Sequence, residues 1–267
     1  MKKLPLLVGL CLVLSVHAQS DDIAVQNEVK NVTWFTSNDT KGFIKIQESS
    51  VDNSTILSTQ VEAKFDDENL NFTLVSTNDD KKLLFPTLFK FTGTIDSEIK
   101  PVTFTGTRIK TVKNGVSYWN FKGDFVDQLE TDPDIQKFTF AKYNATLKIP
   151  ERTVPSFNLW AIIPNLEFSR KGTFIFNSLD ETKLYVNMNQ TVNYLGTDEI
   201  DVNGVNTKTH KFVHQGKKIK KSYFWVSETR ELLQVKLDDK YTFTKSTKQK
   251  ALQSRELTTA SVSPKEE

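Results

Sequence analysis

The chain carries one cysteine, Cys11, and it lies inside an apolar N-terminal run. No intramolecular disulfide can form, so a small disulfide-stapled scaffold is excluded and stability must come from a hydrophobic core. At 267 residues the chain is long enough to build one in a single β domain. Net charge is also missing. The 35 basic residues exceed the 33 acidic ones only through Lys2 and Lys3, so the rest of the chain is neutral and offers no global field for nucleic acid or an anionic membrane. Histidine is scarce, with His17, His210 and His214 alone. After residues 4–16 no apolar run approaches the roughly 20 residues of a spanning helix. There is no Gly-x-Ser-x-Gly elbow, no fixed-period repeat and no linker between large halves.

What is present begins with a leader. Lys2 and Lys3 precede the apolar residues 4–16, and Val16-His17-Ala18 supplies small-residue positions before a cut between Ala18 and Gln19. This reads as a secretory signal over residues 1–18, which places the mature protein in a bacterial periplasm or outside the cell. Cys11 follows Gly9-Leu10 within the run rather than closing it, which argues against a lipid-modified cysteine. Six Asn-x-Ser/Thr sequons, at Asn31, Asn38, Asn53, Asn71, Asn144 and Asn189, are what a chain this rich in those residues produces by chance.

The strongest pattern lies between Thr173 and Thr244, where five β-type segments follow one another. Over residues 183–194, Leu184, Val186, Met188, Gln190, Val192 and Tyr194 share one parity, while Lys183, Tyr185, Asn187, Asn189, Thr191 and Asn193 share the other. Period two predicts a strand with one buried and one wet face. Asn203-Gly204 is the dipeptide suited to a type I′ turn and predicts a hairpin between residues 199–202 and 205–214. Tyr223-Phe224-Trp225-Val226 breaks alternation, which predicts a bulge or a strand covered on both faces. Leu233, Val235 and Leu237, a turn at Asp238-Asp239, then Tyr241 and Phe243 continue the series.

Upstream the same signals recur. Residues 32–35 and 43–46 flank the turn-like Ser37-Asn38-Asp39-Thr40-Lys41-Gly42 and suggest an opening hairpin, Leu57, Thr59, Val61, Ala63 and Phe65 hold one parity, and Leu70, Phe72 and Leu74 follow Asp66-Asp67-Glu68-Asn69. Pro86 predicts a strand start or edge, and Lys113-Asn114-Gly115 predicts a further hairpin. The fold class is therefore mainly β, a single strongly curved antiparallel sheet or incomplete barrel over residues 19–245 with ten or more strands. One short helix is expected over residues 156–163, capped by Ser156, with Phe157, Trp160 and Ala161 on one face and Pro164 at its end. Residues 125–129 suggest a further helical turn, and residues 246–267 read as a mobile polar tail.

Chemical constellations are few. His210 and His214 lie four apart on a strand, about 13 Å from each other, too far to share a zinc ion. Glu199, Asp201, Asn203 and Gly204 imitate the start of a calcium loop, but His210 stands at the twelfth position in place of the bidentate Glu. The carboxylate pairs Asp66-Asp67, Asp79-Asp80, Asp132-Asp134 and Asp238-Asp239 all fall in turns. Lys208, Lys211, Lys217, Lys218, Lys220 and Lys221 with Tyr223 and Trp225 read as a solvated hairpin end, the alternative being a site for a phosphate-bearing ligand or lipid headgroup. No catalytic residue, metal site or cofactor is expected.

A resemblance runs through the same region. The Val202-Asn203-Gly204-Val205 turn, the basic strand, Tyr223-Phe224-Trp225-Val226-Ser227 and Arg230-Glu231-Leu232-Leu233-Gln234-Val235 resemble the C-terminal part of a bacterial envelope family, domain of unknown function 3108. That family has a Leu-Pro-Val pattern where this chain has Leu233-Gln234-Val235. The likeness reaches back to Val154-Pro155-Ser156-Phe157-Asn158-Leu159-Trp160 and covers roughly the last third of the chain. It implies an architecture related to periplasmic lipoprotein carriers, a curved sheet around an apolar concavity, and no catalytic residues. The expected function is a non-enzymatic binding module, a carrier for a lipid, lipoprotein or other apolar ligand, the alternative being a structural or interaction protein of the envelope. Ligand sites are concave and mostly apolar, so the candidates are Phe157, Trp160 and Ile163 from the helix and Trp225 from the aromatic strand.

Overall fold

The computed structural model describes residues 28–51, 54–65, 68–78, 86–94, 102–112, 116–123, 135–137, 145–150, 152–167, 172–180, 185–217 and 219–259. The opening half is a meander of β1 (Glu28–Ser37), β2 (Gly42–Val51), β3 (Ser54–Phe65), β4 (Glu68–Asn78), β5 (Pro86–Thr94), β6 (Val102–Val112) and β7 (Val116–Gly123), each antiparallel to the next. Then come β8 (Ile135–Lys137), β9 (Ala145–Pro150) and β10 (Thr153–Pro155). The closing half is a second meander of β11 (Thr173–Asp180), β12 (Tyr185–Val202), β13 (Val205–Gly216), β14 (Ile219–Ser227), β15 (Leu232–Leu237) and β16 (Tyr241–Ser246).

Pairing of β1 with β16, from Trp34 opposite Ser246 to Ser37 opposite Phe243, fuses the two meanders into one sheet. Its order runs from β10 through β16, then β1 through β7, to β9, with β8 added on β12. The two ends of this path, β9 and β10, are successive in the chain, so the sheet curls almost into a barrel whose one seam is unsealed. Strands β10 and β11 form its parallel pair. The mainly β class read from the sequence therefore holds.

Inward-facing positions carry the core. Phe35, Phe72, Phe91, Phe176, Phe212, Phe224 and Phe243 are buried together with Ile44, Val61 and Val235. Burying each such side chain contributes roughly 1.5–3 kcal/mol, which is how a chain without disulfides holds this shape. Turn chemistry sets the register: Asn203 and Gly204 both take positive φ between paired Val202 and Val205, and Asp238 and Asp239 do the same after Leu237. Pro86 opens β5, and the expected break in β14 is a register shift between Trp225 and Val226. Residues 113–115 and 125–129, together with the pairs Asp66-Asp67 and Asp132-Asp134 and residues 79–80, lie outside the described residues.

Three expectations are corrected. The described residues hold two short helices, where one was expected: a plug of 3-10 and α turns over Ser156–Asn158, α1 (Leu159–Ile162) and Ile163–Asn165, and also α2 (Lys248–Thr259) within the stretch read as a tail. Helix α2 starts where Thr247 Oγ1 accepts the Lys250 N–H at 3.2 Å, and it lies across β1 and β2 with Ala251 buried. Ser254 Oγ accepts the Gly42 N–H at 2.9 Å and donates to the Gly42 carbonyl, closing the strand end onto the helix. Second, Ser156 does not cap the plug; its hydroxyl donates instead to the Leu179 carbonyl at 2.9 Å. Third, Asn187 is not on a wet face. Register advances two residues on β11, from Phe176 to Ser178, against three on β12, from Gln190 to Asn187, where Asn189 takes φ +53°. That bulge turns Asn187 to the inside beside Ser178. No helix among the described residues is long and apolar enough to cross a membrane.

Candidate functional site

The chain leaves the sheet at the seam and crosses the barrel interior as the plug. A helix of one turn has no stability of its own in water, so its apolar face must be held by the sheet. Trp160 is 3 % exposed and meets Phe35 edge-on at 5.1 Å, Phe243 at 6.0 Å and Phe157 at 6.2 Å. Phe157 meets Phe72 at 5.4 Å, and Ile163 is fully buried. Polar contacts fix the ends. Asn158 Nδ2 donates to Ser76 Oγ at 2.9 Å inside the barrel, and Asn78 Nδ2 donates to the same oxygen at 3.3 Å. At the far end the Arg230 guanidinium donates to the carbonyls of Pro164 at 3.3 Å and Leu166 at 3.0 Å. These are carbonyls that a helix end leaves without partners.

The Asn158 clip makes a direct prediction. Ser76→Ala removes the oxygen on which Asn158 and Asn78 both converge and leaves Asn158 buried without it, which should cost about 1–3 kcal/mol in urea unfolding. Ser76→Asn, which restores hydrogen-bonding capacity, is expected to recover part of that loss.

Space remains on both sides of the plug. One cavity of about 150 Å³ lies between Trp160, Phe35, Ile46 and Leu57, under a rim that includes Glu48, Arg230 and Lys245. The other, about 170 Å³, lies against Phe157, Leu159, Trp160 and Phe224. Its floor is two cross-strand pairs, Ser178 opposite Asn187 and His214 opposite Ser222. All four side chains are at most 9 % exposed. None makes a side-chain hydrogen bond to another described residue, and His214 Nε2 is buried without a partner. Burial pushes the His214 imidazole down to a pKa of about 4, so it is neutral at pH 7.

Of the residues proposed from the sequence, Phe157, Trp160 and Ile163 come together on the plug. Trp225 does not join them. It alternates with inward Phe224 and Val226 and so stands on the outer face, where its indole N–H donates to Asp198 Oδ2 at 2.9 Å. Lys211 Nζ reaches the same oxygen at 2.9 Å and lies 5.0 Å over the Trp225 ring. Hydrogen bonds from Lys211 and Trp225 hold the Asp198 carboxyl below its ordinary pKa. The lysine cluster is accordingly divided: Lys211 is tied to Asp198, Lys208 Nζ lies 3.8 Å from Glu228, and Lys220 stands at the mouth of the larger cavity. His210 and His214 share the inner face but not a site. His210 Nδ1 is 2.9 Å from the Tyr194 hydroxyl and its Nε2 is 3.2 Å from Glu228, whereas His214 faces the plug. Among the described residues no group of His, Cys, Asp or Glu is arranged to hold a metal ion.

Sequence reasoning missed the polar floor. Ser178, Asn187 and Ser222 have no chemical signature of their own, and only the bulge at Asn189 brings Asn187 inward beside Ser178; its one local signal was an Asn at a position of positive φ. No protein-family model, curated protein or solved structure matches this chain.

Proposed function

We propose that the protein is an exported, non-enzymatic binding module that holds a small apolar or amphipathic molecule inside the barrel, against the plug. The observation that carries this reading is the aromatic plug with a cavity on either side of Trp160, one of them floored by buried polar groups. Apolar walls supply affinity and a few convergent polar groups supply orientation, the usual composition of a small-molecule site. Size limits the ligand. An engineered cavity of about 150 Å³ holds benzene, so with the plug seated each cavity takes a molecule of roughly that size. A lipid or lipoprotein chain is larger than either cavity. The export and carrier elements of the proposal rest on the leader and on the resemblance to the envelope family.

The second reading, a structural or interaction protein of the envelope, is favoured by the depth to which the plug already fills the interior, with Trp160 and Ile163 almost inaccessible. Native mass spectrometry of protein purified from its own host separates the two. A reproducible adduct released on denaturation supports the binding module, and a bare chain that gains no mass with added toluene points to the structural reading.

A further inference from the structure

We infer that the cavity floored by Ser178, Asn187, His214 and Ser222 binds a monocyclic aromatic molecule bearing one hydroxyl group, a phenol. This deepens the binding-module reading and rests on it.

Volume sets the body of the ligand. At about 170 Å³ the cavity is slightly larger than one that holds benzene, which fits a substituted single ring. Wall chemistry sets its character. Phe157, Trp160 and Phe224 present aromatic faces and edges, against which another ring packs offset or edge-on. The floor sets the substituent. Buried polar groups in folded proteins are almost always hydrogen-bonded, yet His214 Nε2 is buried without a partner, with Ser178, Asn187 and Ser222 beside it on the same floor. A wholly apolar occupant would leave it so. A hydroxyl is both donor and acceptor, so it can donate to an imidazole nitrogen or the Asn187 carbonyl oxygen while accepting from a serine hydroxyl.

Charge is selected against. The floor holds no cation, since burial keeps His214 neutral at pH 7. A carboxylate turned to the floor would lose its hydration and meet no cation there. The hydroxyl is therefore the substituent that answers the floor without bringing a charge.

The test uses the full chain with three probes of one shape, p-cresol, toluene and p-toluate, titrated at pH 7 by calorimetry or ligand-observed NMR. The expected result is that p-cresol binds about tenfold more tightly than toluene, the discrimination that roughly one satisfied buried hydrogen bond provides, and that p-toluate does not compete. His214→Leu and, independently, the near-isosteric Ser222→Ala should each reduce the p-cresol to toluene affinity ratio by about fivefold or more. Thermal melts establish that both variants fold, and Ser222→Ala carries the test if His214→Leu does not. Equal affinities for p-cresol and toluene, a ratio unmoved by either foldable variant, or p-toluate binding as well as p-cresol would overturn the phenol assignment and leave the binding module standing. If none of the three binds, the assignment fails; the module reading fails with it only if host-purified protein also carries no adduct.

Discussion

Trp160→Ala is expected to destabilise the fold by about 3–5 kcal/mol in urea or guanidinium unfolding, the range for truncating a fully buried large aromatic. The indole is 3 % exposed and touches rings from β1, β16 and the plug itself, so its loss removes the contacts that bring the two ends of the chain onto one centre. Trp160 also lines both cavities. Its removal joins them, and the surrounding sheet, tied strand to strand, cannot collapse into the space. A second effect follows: the variant should bind a larger apolar probe, naphthalene, more tightly than the unaltered protein does. A loss below about 1 kcal/mol would show that the plug is not packed as described, because that is the cost of an ordinary substitution. A full loss with no tighter binding of naphthalene would show that the interior closes over the gap and that the cavities do not communicate through Trp160.

The local half of this fold was legible because strand parity and turn chemistry act between neighbours. Val202-Asn203-Gly204-Val205 reads as a hairpin because only residues tolerant of positive φ make a type I′ turn, and both central residues adopt it. Tyr241 and Phe243 alternate with Thr242 and Thr244, and the first pair is buried. Closure was not legible. The contact of Phe35 with Lys245 and of Thr36 with Thr244 joins residues more than two hundred apart, and nothing in either strand's pattern names its partner. Helix α2 was hidden for another reason. Over residues 248–254 Ala251 is buried while Leu252 is exposed, so this stretch shows almost no apolar stripe, and the helix start rests on the Thr247 cap and on good helix formers in Lys248–Thr259.

The site was legible in part, and the division is physical. Phe157 and Trp160 could be chosen because a short apolar helix in a β protein must dock on the sheet, and the interior is where it docks; Ile163 comes from the same plug but lines neither cavity. Trp225 was chosen for its residue type, but a strand sends alternate side chains to opposite faces, and Phe224 and Val226 occupy the inner positions. Parity through the β14 bulge could not decide between them from the sequence. The polar floor depends on a second bulge, where one extra residue in β12 reverses the face of Asn187. A period-two reading carries straight through such a point and assigns the wrong face beyond it.

The pH dependence of stability should report His214. Its imidazole has an ordinary pKa near 6.5 in the unfolded chain and about 4 when folded, because burial penalises the charged form. Above pH 6.5 both states are neutral and the residue makes no pH-dependent contribution. As pH falls from 6.5 towards 4 the unfolded chain takes up a proton that the folded protein refuses, so stability declines at up to about 1.4 kcal/mol per pH unit. The decline from this residue ends just below pH 4, after a loss on the order of 3 kcal/mol, because the folded state then binds the proton too. Urea midpoints measured between pH 7.5 and 4 check this, with His214→Leu as the comparison. Leucine cannot titrate, so the variant's curve should be flatter over that window and should cross or exceed that of the unaltered protein at pH 4.5. His210 is also buried, but it keeps Tyr194 on Nδ1 and Glu228 on Nε2, so it does not share the solvent-free, partnerless setting of His214. Parallel curves for the two proteins would place the His214 ring in contact with water at low pH. If p-cresol donates its hydroxyl proton to His214, the decline should extend to lower pH in its presence, since protonating His214 would then also require giving up that hydrogen bond.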